Sequence, residues 1–251
     1  MSGYGNTKSY LIPSIVIRSV MDIYNKRDYE LVIDICDKVL KDSHNYYSDI
    51  TRELTYWLCL ALCRTQKEER FYEEVKALDG ADYWFLKGFF QRIATKYNSA
   101  ENFLKKALEI SPSMQRAKRE LVTALLAQHR YPEALSLAKE NYERDSDNTY
   151  HMHAYFRCLV KKVNINREDI ATLKELLDKM ENSYSDKKEE LHMAMNIEFQ
   201  ANIKRKSPDE MLDLIRNAEK NFPSSVNIQR AAHEYKLKQA IVSKEVVFPE
   251  D

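Results

Sequence analysis

Residues 81–114, which read ADYWFLKGFFQRIATKYNSAENFLKKALEISPSM, contain the clearest fold signal in the sequence. Counted from Ala81, the large Trp84 stands at position 4. The small residues Gly88, Ala100 and Ala107 stand at positions 8, 20 and 27, and Pro112, which ends the second helix, stands at position 32. A bulky aromatic side chain fills the space between two helices, small residues let those helices touch, and a proline stops the second helix. The stretch therefore predicts a closely packed pair of helices.

The same pattern returns along the chain with a period of 34 residues. Ala134, which follows Tyr131-Pro132-Glu133, stands 34 residues after Ala100, and Val32 stands twice that distance before Ala100. The unit between Val32 and Ala100 is irregular, with a long loop and a short second helix. A fixed period of this length indicates a repeat array, in which each unit buries its apolar face against its neighbours.

Glycine content indicates an almost entirely helical chain. Only 4 of the 251 residues are glycine, and two of these, Gly3 and Gly5, precede the predicted repeats. A βαβ enzyme needs many tight turns and usually a glycine-rich phosphate loop, which this supply could not build. Few glycines together with many Leu, Ala, Glu and Lys residues favour an all-α fold.

Charge and cysteine content limit the partners and the compartment. The chain has 39 basic and 39 acidic side chains, so overall charge gives no attraction to nucleic acid or to an anionic membrane. The cysteines Cys36, Cys59, Cys63 and Cys158 form no Cys-x-x-Cys pair, which favours a reducing compartment. No signal peptide and no apolar stretch of about 18–20 residues is evident. We therefore predict a cytoplasmic protein without a membrane span.

The chain divides into a flexible leader over residues 1–9, a helical repeat domain over 10–241 and a loose tail over 242–251. Helix pairs are predicted over about 10–42, 81–114, 115–148, 148–180 and 186–221, with an irregular pair around Trp57 and a final solvating helix over about 224–238. The pair over 148–180 lacks the small-residue signature. Repeat arrays need such atypical end helices to cover their exposed core.

The two ends of the chain raise the question of self-association. Apolar residues from Leu11 to Ile23 spread around most of the first helix, so they either are buried within the array or dock on a partner or an upstream domain. The tail Glu245–Asp251 is acidic and contains Val246, Val247 and Phe248. We expect a homo-oligomer that forms through the first helix or through docking of the tail.

From about Tyr10 to Lys238 the chain resembles the tetratricopeptide-repeat family. This resemblance implies a right-handed α-α superhelix of about six helix pairs plus a C-terminal capping helix, with a concave groove that binds peptides or protein segments. The residues Arg119–Val122, Leu137–Asp145 and His151–Leu159 also resemble helical-repeat regions of bacterial immune-type signalling proteins. Those proteins carry effector or nucleotide-switch domains that this sequence lacks.

In the tetratricopeptide family, first-helix positions 2, 5, 9, 12 and 13 line the groove. The resemblance implies a partner-binding groove that contains Phe85, Phe89, Arg92, Arg116, Arg119, Thr123, His153, Arg157 and Lys161. Arginine binds carboxylates with two parallel hydrogen bonds and aromatic rings supply buried contact area, so this set favours an acidic segment with an apolar anchor. The alternative is that these are ordinary helix charges paired at i, i+4 with nearby glutamates.

Other chemistry finds little support in the sequence. Some family members bind chaperone C-termini through a clamp of lysine, asparagine and arginine, but only Arg157 conforms among the matching positions. Cys59 with Cys63, and His151 with His153, lack the second pair that a zinc site needs. No nucleophile motif or phosphate loop is present, and we predict no catalytic residue, no cofactor and no metal.

Three functions remain open. The leading prediction is a non-enzymatic module that binds a protein segment in its groove. The main alternative is a sensor or oligomerisation domain of a larger signalling system, such as bacterial defence. Nucleic-acid binding by helical repeats is a weaker alternative, because no repeated base-reading pair of positions is found.

Overall fold

The computed structural model describes residues 13–41, 48–181, 186–204 and 206–245, and within these ranges the chain forms thirteen α-helices and no β-strand. The helices are α1 (Pro13–Asn25), α2 (Tyr29–Lys41), α3 (Ser48–Arg64), α4 (Glu68–Glu74), α5 (Gly80–Ile93), α6 (Tyr97–Ile110), α7 (Gln115–Ala127), α8 (Tyr131–Arg144), α9 (Thr149–Leu159), α10 (Arg167–Glu181), α11 (Asp186–Phe199), α12 (Pro208–Asn221) and α13 (Val226–Glu245). The predicted all-α helical-repeat fold is confirmed.

The chain divides into two compact units, which we call unit 1 (Met1–Ala124) and unit 2 (Leu125–Asp251). In unit 1, α5 packs against α6 through small residues. A Cβ atom added to Gly88 would lie 2.7 Å from Cγ of Leu104, and Ala100 and Ala107 are fully buried. The stacked rings of Phe71 and Phe90, with centroids 4.6 Å apart, join the short helix α4 to this pair. The small residues therefore stand where the sequence requires close contact.

Unit 2 has its own apolar core, in which α11, α12 and α13 meet. The core cluster consists of Ala194, Ile197, Met211, Ile215, Ala218, Ile228, Ala231, Ala232 and Tyr235. Local sequence fixes where the helices begin. The Asn148 side chain accepts hydrogen bonds from the backbone N–H groups of Tyr150 and His151, and Ser207 and Glu210 form a reciprocal capping box at the start of α12.

Three features differ from the sequence-based expectation. Helix α13 continues to Glu245, seven residues beyond the predicted end at Lys238, because no glycine or proline interrupts it before Pro249. The first four residues of the predicted tail, 242–245, are therefore helical. Helix α4 is followed by a 3₁₀ turn, Val75–Ala77, and α11 is followed by a π-helical turn, Gln200–Lys204. The predicted leader, residues 1–9, and the rest of the tail lie outside the described residues.

The first helix divides its apolar residues between the core and the surface. Val16 and Val20 are buried, whereas Ile15 is 52% exposed and Met21 is 38% exposed. Leu11 and Ile12 lie outside the described residues. Burial within the array thus accounts for only part of the apolar set of α1. Among the residues that the structure describes, none of the helices is both long enough and apolar enough to cross a membrane.

Candidate functional site

The first helices of unit 1 bring together a stack of aromatic rings covered by arginines, which we call the unit 1 face. Phe85 on α5 stacks between Tyr56 on α3 and Phe89 on α5, with ring centroids 6.4 Å and 5.9 Å away. The guanidinium of Arg116, on α7, lies 4.5 Å from the Tyr56 centroid and 5.1 Å from the Phe85 centroid. These are cation–π distances, so the aromatic stack holds the charge of Arg116 in place.

Phe89 is flanked by two further arginines. The guanidinium of Arg64, on α3, lies 4.9 Å from its ring centroid, and that of Arg92 lies 5.1 Å away. Phe85 and Phe89 are each only 3% exposed. The two phenylalanines are therefore buried, and they offer little of the contact area that was expected of them. Their rings lie beneath guanidinium groups.

Carboxylates of unit 1 already pair with these arginines. Arg116 donates to Asp82, which occupies the same repeat position 34 residues earlier, and Arg92 pairs with Glu120 on α7. These partners stand on different helices, so the alternative of i, i+4 pairing is wrong for Arg92 and Arg116. Among the described residues, these contacts join five guanidinium groups and three carboxylates, so arginines outnumber carboxylates in this set, and its members are Arg52, Arg64, Arg92, Arg116, Arg119, Asp79, Asp82 and Glu120.

Three residues of the unit 1 face on α3 were not predicted, and they are Arg52, Tyr56 and Arg64. All three belong to the irregular second unit, where the 34-residue period fails, so their positions cannot be counted from neighbouring units. Burial raises the pKa of Tyr56 well above its ordinary value, so the phenol stays neutral. Arg64 donates from Nε to the hydroxyl of Tyr24 at 3.2 Å. Thr123 uses its hydroxyl internally, donating to the carbonyl of Arg119 at 3.1 Å.

Unit 2 contains the remaining predicted residues on a second surface, which we call the unit 2 face. Its members come from the first helices of the repeats, and they are His153, Arg157 and Lys161 on α9, Glu198 at the end of α11, Asn202 in the π-helical turn, and Arg230, Glu234 and Lys238 on α13. The sequence had singled out only the three residues on α9. The residues that were not predicted lie about one or two repeats after those on α9. The π-helical turn disturbs the repeat register between α9 and α13.

Two arginines of the unit 2 face share one oxygen of a buried carboxylate. Arg230 donates to Oε1 of Glu198 at 3.0 Å, while Nε of Arg157 lies 3.8 Å from the same oxygen, beyond hydrogen-bond distance. The Glu198 side chain is only 3% exposed. Lys161 pairs with Glu234 at 2.8 Å, and Lys238 donates to the side-chain oxygen of Asn202.

Burial first, and neighbouring positive charge second, shift the pKa values of three side chains of the unit 2 face. Burial, and then the charge of Arg230, lower the pKa of Arg157 to about 10. Burial followed by the charges of Arg230 and Arg157 holds the pKa of His153 well below its usual range, so this imidazole is neutral. Burial and the nearby Lys161 also lower the pKa of Lys238. These shifts agree with a count of four cationic side chains against two carboxylates.

Several buried atoms of the unit 2 face make no hydrogen bond to any described residue. They are Nε2 of His153, Nε of Arg157, Nε of Arg230 and Oε2 of Glu198. A buried polar atom without a hydrogen bond costs about 1–3 kcal/mol, and native structures contain few of them. Four such atoms therefore lie together on the unit 2 face.

The cysteines and acidic residues show no sign of metal chemistry where the structure describes them. All four cysteines are free thiols and buried, and burial raises the pKa of Cys59 and of Cys158 to about 12. A thiol with so high a pKa is a poor nucleophile at neutral pH. No group of three or more His, Cys, Asp or Glu side chains among the described residues is arranged to hold a metal ion.

Comparison with known proteins confirms the predicted family resemblance. The family model described as tetratricopeptide repeat matches residues 92–161. A structure from the functional characterization of Pseudomonas aeruginosa pilF is similar over 88% of this chain and 97% of that chain, with a TM-score of 0.54 and 13% sequence identity. At this identity the similarity shows the fold alone.

Two more distant structures were also found. YrrB, described as a TPR protein with an unusual peptide-binding site, has a TM-score of 0.45 and 15% identity, over 78% of this chain and 96% of that one. A chain of Naa15/Naa10 bound to HypK-THB has a TM-score of 0.42 and 14% identity, over 91% of this chain and 34% of that one. A search of curated proteins gave no match.

Proposed function

We propose that this chain is a non-enzymatic module that binds a protein segment on the face of its first helices. The match of residues 92–161 to the tetratricopeptide-repeat family model supports this proposal. The segment is acidic and carries an apolar anchor. The observation that carries this proposal is the unit 1 face, where arginines in excess over carboxylates are held against a stack of aromatic rings.

The position of Arg116 supports recognition of carboxylates. Stacking on Tyr56 and Phe85 restricts the guanidinium plane, so less conformational entropy is lost when its edge donates to an incoming carboxylate. The Arg116 and Arg119 side chains are each more than a third exposed, so a partner can reach them. Tyr56 is more exposed than Phe85 and Phe89, so we assign it to the apolar anchor.

Charge reversal of this face tests the proposal. The probes are two pools of capped twelve-residue peptides, each with one fixed phenylalanine, in which the charged positions are all acidic or all basic. We expect the wild-type chain to bind the acidic pool. The double variant Arg116→Glu/Arg119→Glu should bind it at least tenfold more weakly, because charge-assisted hydrogen bonds contribute about 1.5–3 kcal/mol each. Fluorescence anisotropy measures the affinity for each pool, and circular dichroism checks that each variant is folded.

The matched control is Arg216→Glu on α12. This arginine is largely exposed and pairs only locally with Asp213, three residues away, so its reversal should leave retention unchanged. Equal retention of both pools by the wild-type chain would contradict the proposal. Unchanged retention in the double variant would show that the segment binds elsewhere.

Self-association is the second candidate function, and the exposed Ile15 and Met21 on α1 favour it. In this case the chain would act as a sensor or assembly domain. We further propose a cytoplasmic location, which the four free thiols support. Nucleic-acid binding has no observation in its favour beyond the local excess of arginine.

A further inference from the structure

Unit 2 contains a buried histidine on the side of α9 that meets other charged residues. His153 is only 7% exposed, and its Nε2 makes no hydrogen bond to any described residue. We propose that His153 makes unit 2 an acid-sensitive switch, in which a proton taken up by the buried ring loosens the contacts of α9 with α11 and α13. This inference goes beyond the proposed function, and its test uses no binding partner.

The face of α9 that carries His153 is already rich in positive charge. Arg157 stands four residues later and is therefore the neighbour of His153 on the helix surface. Its guanidinium and that of Arg230, on α13, both approach the single buried carboxylate of Glu198, on α11. The charges that act on the His153 ring are those of the two arginines, and no described carboxylate joins them. A positive charge on this ring would therefore be repelled by both guanidinium groups.

The other helices that pack against α9 place their carboxylates around its opposite face. Helices α8 and α10 both contact α9. Tyr155 stands two residues after His153, about 200° further round the helix. Glu143 on α8, and Asp169 and Glu175 on α10, are the carboxylates whose charges act on Tyr155. They face away from His153, so they cannot neutralise an imidazolium there.

A protonated ring would also lack hydrogen bonds. Both nitrogens of an imidazolium are donors, so each needs an acceptor when it is buried. The Nε2 atom of His153 has no acceptor among the described residues. A buried donor without an acceptor is unfavourable, and it becomes more so when it carries charge. Protonation therefore favours a state of unit 2 in which water reaches the ring.

Acid should favour this open state because the open ring binds a proton more readily. In the closed state, burial and then the charges of Arg230 and Arg157 lower the pKa of His153 well below its usual range. In the open state the ring is solvated and binds a proton near pH 6.5. The open state therefore binds more protons below this pH, so the closed state loses stability as the pH falls. For one proton, the opening constant rises about tenfold between pH 7.5 and pH 5.5.

The range from pH 5.5 to pH 7.5 separates the histidine from the carboxylates of unit 2. Burial raises the pKa of Glu234, but the hydrogen bond and charge of Lys161 outweigh it and lower this pKa below its ordinary value of 4.5. The stability that this ion pair contributes is therefore lost only below about pH 4.5. A response above pH 5.5 belongs to a group that titrates near neutrality.

Amide hydrogen exchange followed by mass spectrometry measures opening helix by helix. After correction for the intrinsic exchange rate, we expect the opening constants of α9 and α11 to rise about tenfold from pH 7.5 to pH 5.5. Helices α5 and α6 of unit 1 contain no histidine, so theirs should change by less than about twofold. Return to pH 7.5 should restore the original protection.

Substitution of the ring identifies the group that responds. The variant His153→Gln keeps a polar side chain that cannot be protonated in this range, so the tenfold rise should disappear from α9 and α11. The matched control is His233→Gln, at an exposed position of α13 in the same unit, and it should keep the rise.

Three results would overturn the inference. An equal pH response of α5, α6, α9 and α11 in the wild-type chain is the first, and it does not depend on the folding of any variant. The second is a tenfold rise that survives in His153→Gln, which would place the responding group elsewhere. The third is protection that fails to return at pH 7.5, which would show irreversible acid unfolding in place of a switch.

Discussion

The turns between paired helices depend on single residues in a left-handed backbone conformation. Arg27, Thr95 and His129 have φ angles of 67°, 60° and 59° and stand 34 or 68 residues apart. This conformation brings Cβ close to the following carbonyl oxygen and costs L-residues about 1–2 kcal/mol. None of the three is glycine, which explains how the repeats turn with so few glycines. The branched Thr95 is the most strained of them.

Replacing Thr95 with glycine should stabilise the protein. Thr95 is exposed, so its side chain contributes little packing, and glycine adopts a positive φ without strain. After allowance for the greater freedom of glycine in the unfolded chain, we expect Thr95→Gly to raise the free energy of unfolding by about 0.5–1 kcal/mol. Urea unfolding followed by circular dichroism measures the change.

The matched control is Thr123→Gly, within helix α7. There the same substitution places glycine, a poor helix former, inside a regular helix, and we expect the free energy of unfolding to fall by about 0.5 kcal/mol. If Thr95→Gly lowered stability as well, the left-handed strain at Thr95 would be disproved.

At the scale of whole elements, helix α1 has apolar side chains both in the core and at the surface. Val16 and Val20 are buried, whereas Ile15 and Met21 remain exposed. Large apolar side chains at the surface are unremarkable singly, but a group of them often marks a contact. Because Ile15 and Met21 are both exposed on this helix, we propose that α1 mediates self-association.

Substitutions on α1 test this proposal. We expect the apparent mass of the wild-type chain to rise with concentration in sedimentation velocity, and the variant Ile15→Asp/Met21→Asp to remain monomeric, because a buried carboxylate would disfavour the contact. Ser19→Asp is the control, since Ser19 is an exposed polar residue of the same helix. Removal of residues 246–251 tests the tail as the other route. A wild-type chain that is monomeric at every concentration would refute both routes.

The whole molecule combines zero formal net charge with two faces rich in cations. Its cores are apolar, whereas its candidate binding faces are ionic. Screening by salt should therefore weaken binding much more than stability, because the Debye length shortens from about 10 Å at 0.1 M salt to about 3 Å at 1 M.

We expect the affinity for the acidic peptide pool to fall at least tenfold between 0.05 M and 0.5 M sodium chloride, while the thermal midpoint changes by only a few degrees. Anisotropy titrations and thermal melts at the same salt concentrations measure both. Affinity that does not depend on salt would show that the segment is held by apolar contacts, and the ionic account of the faces would be wrong.

Most of the fold was predictable, whereas only part of the candidate site was. The helix pairs of residues 13–41 and 186–221 match their predicted positions, because turns, caps and small residues are signals within a few residues of each other. The site prediction named Arg116 and Arg157 but not Tyr56, Arg64, or the residues of α11 and α13. In those places an irregular unit or a π-helical turn breaks the period, so position counting fails.

The all-α repeat and the close contacts around Gly88 follow from local sequence, since a 34-residue period repeats the same packing along the chain. Tertiary packing sets which charges meet and which rings are buried. Lys161 pairs with Glu234, 73 residues away, and Arg230 with Glu198, 32 residues away. Such pairs depend on how helices from different repeats are aligned, and no local pattern in the sequence encodes that alignment.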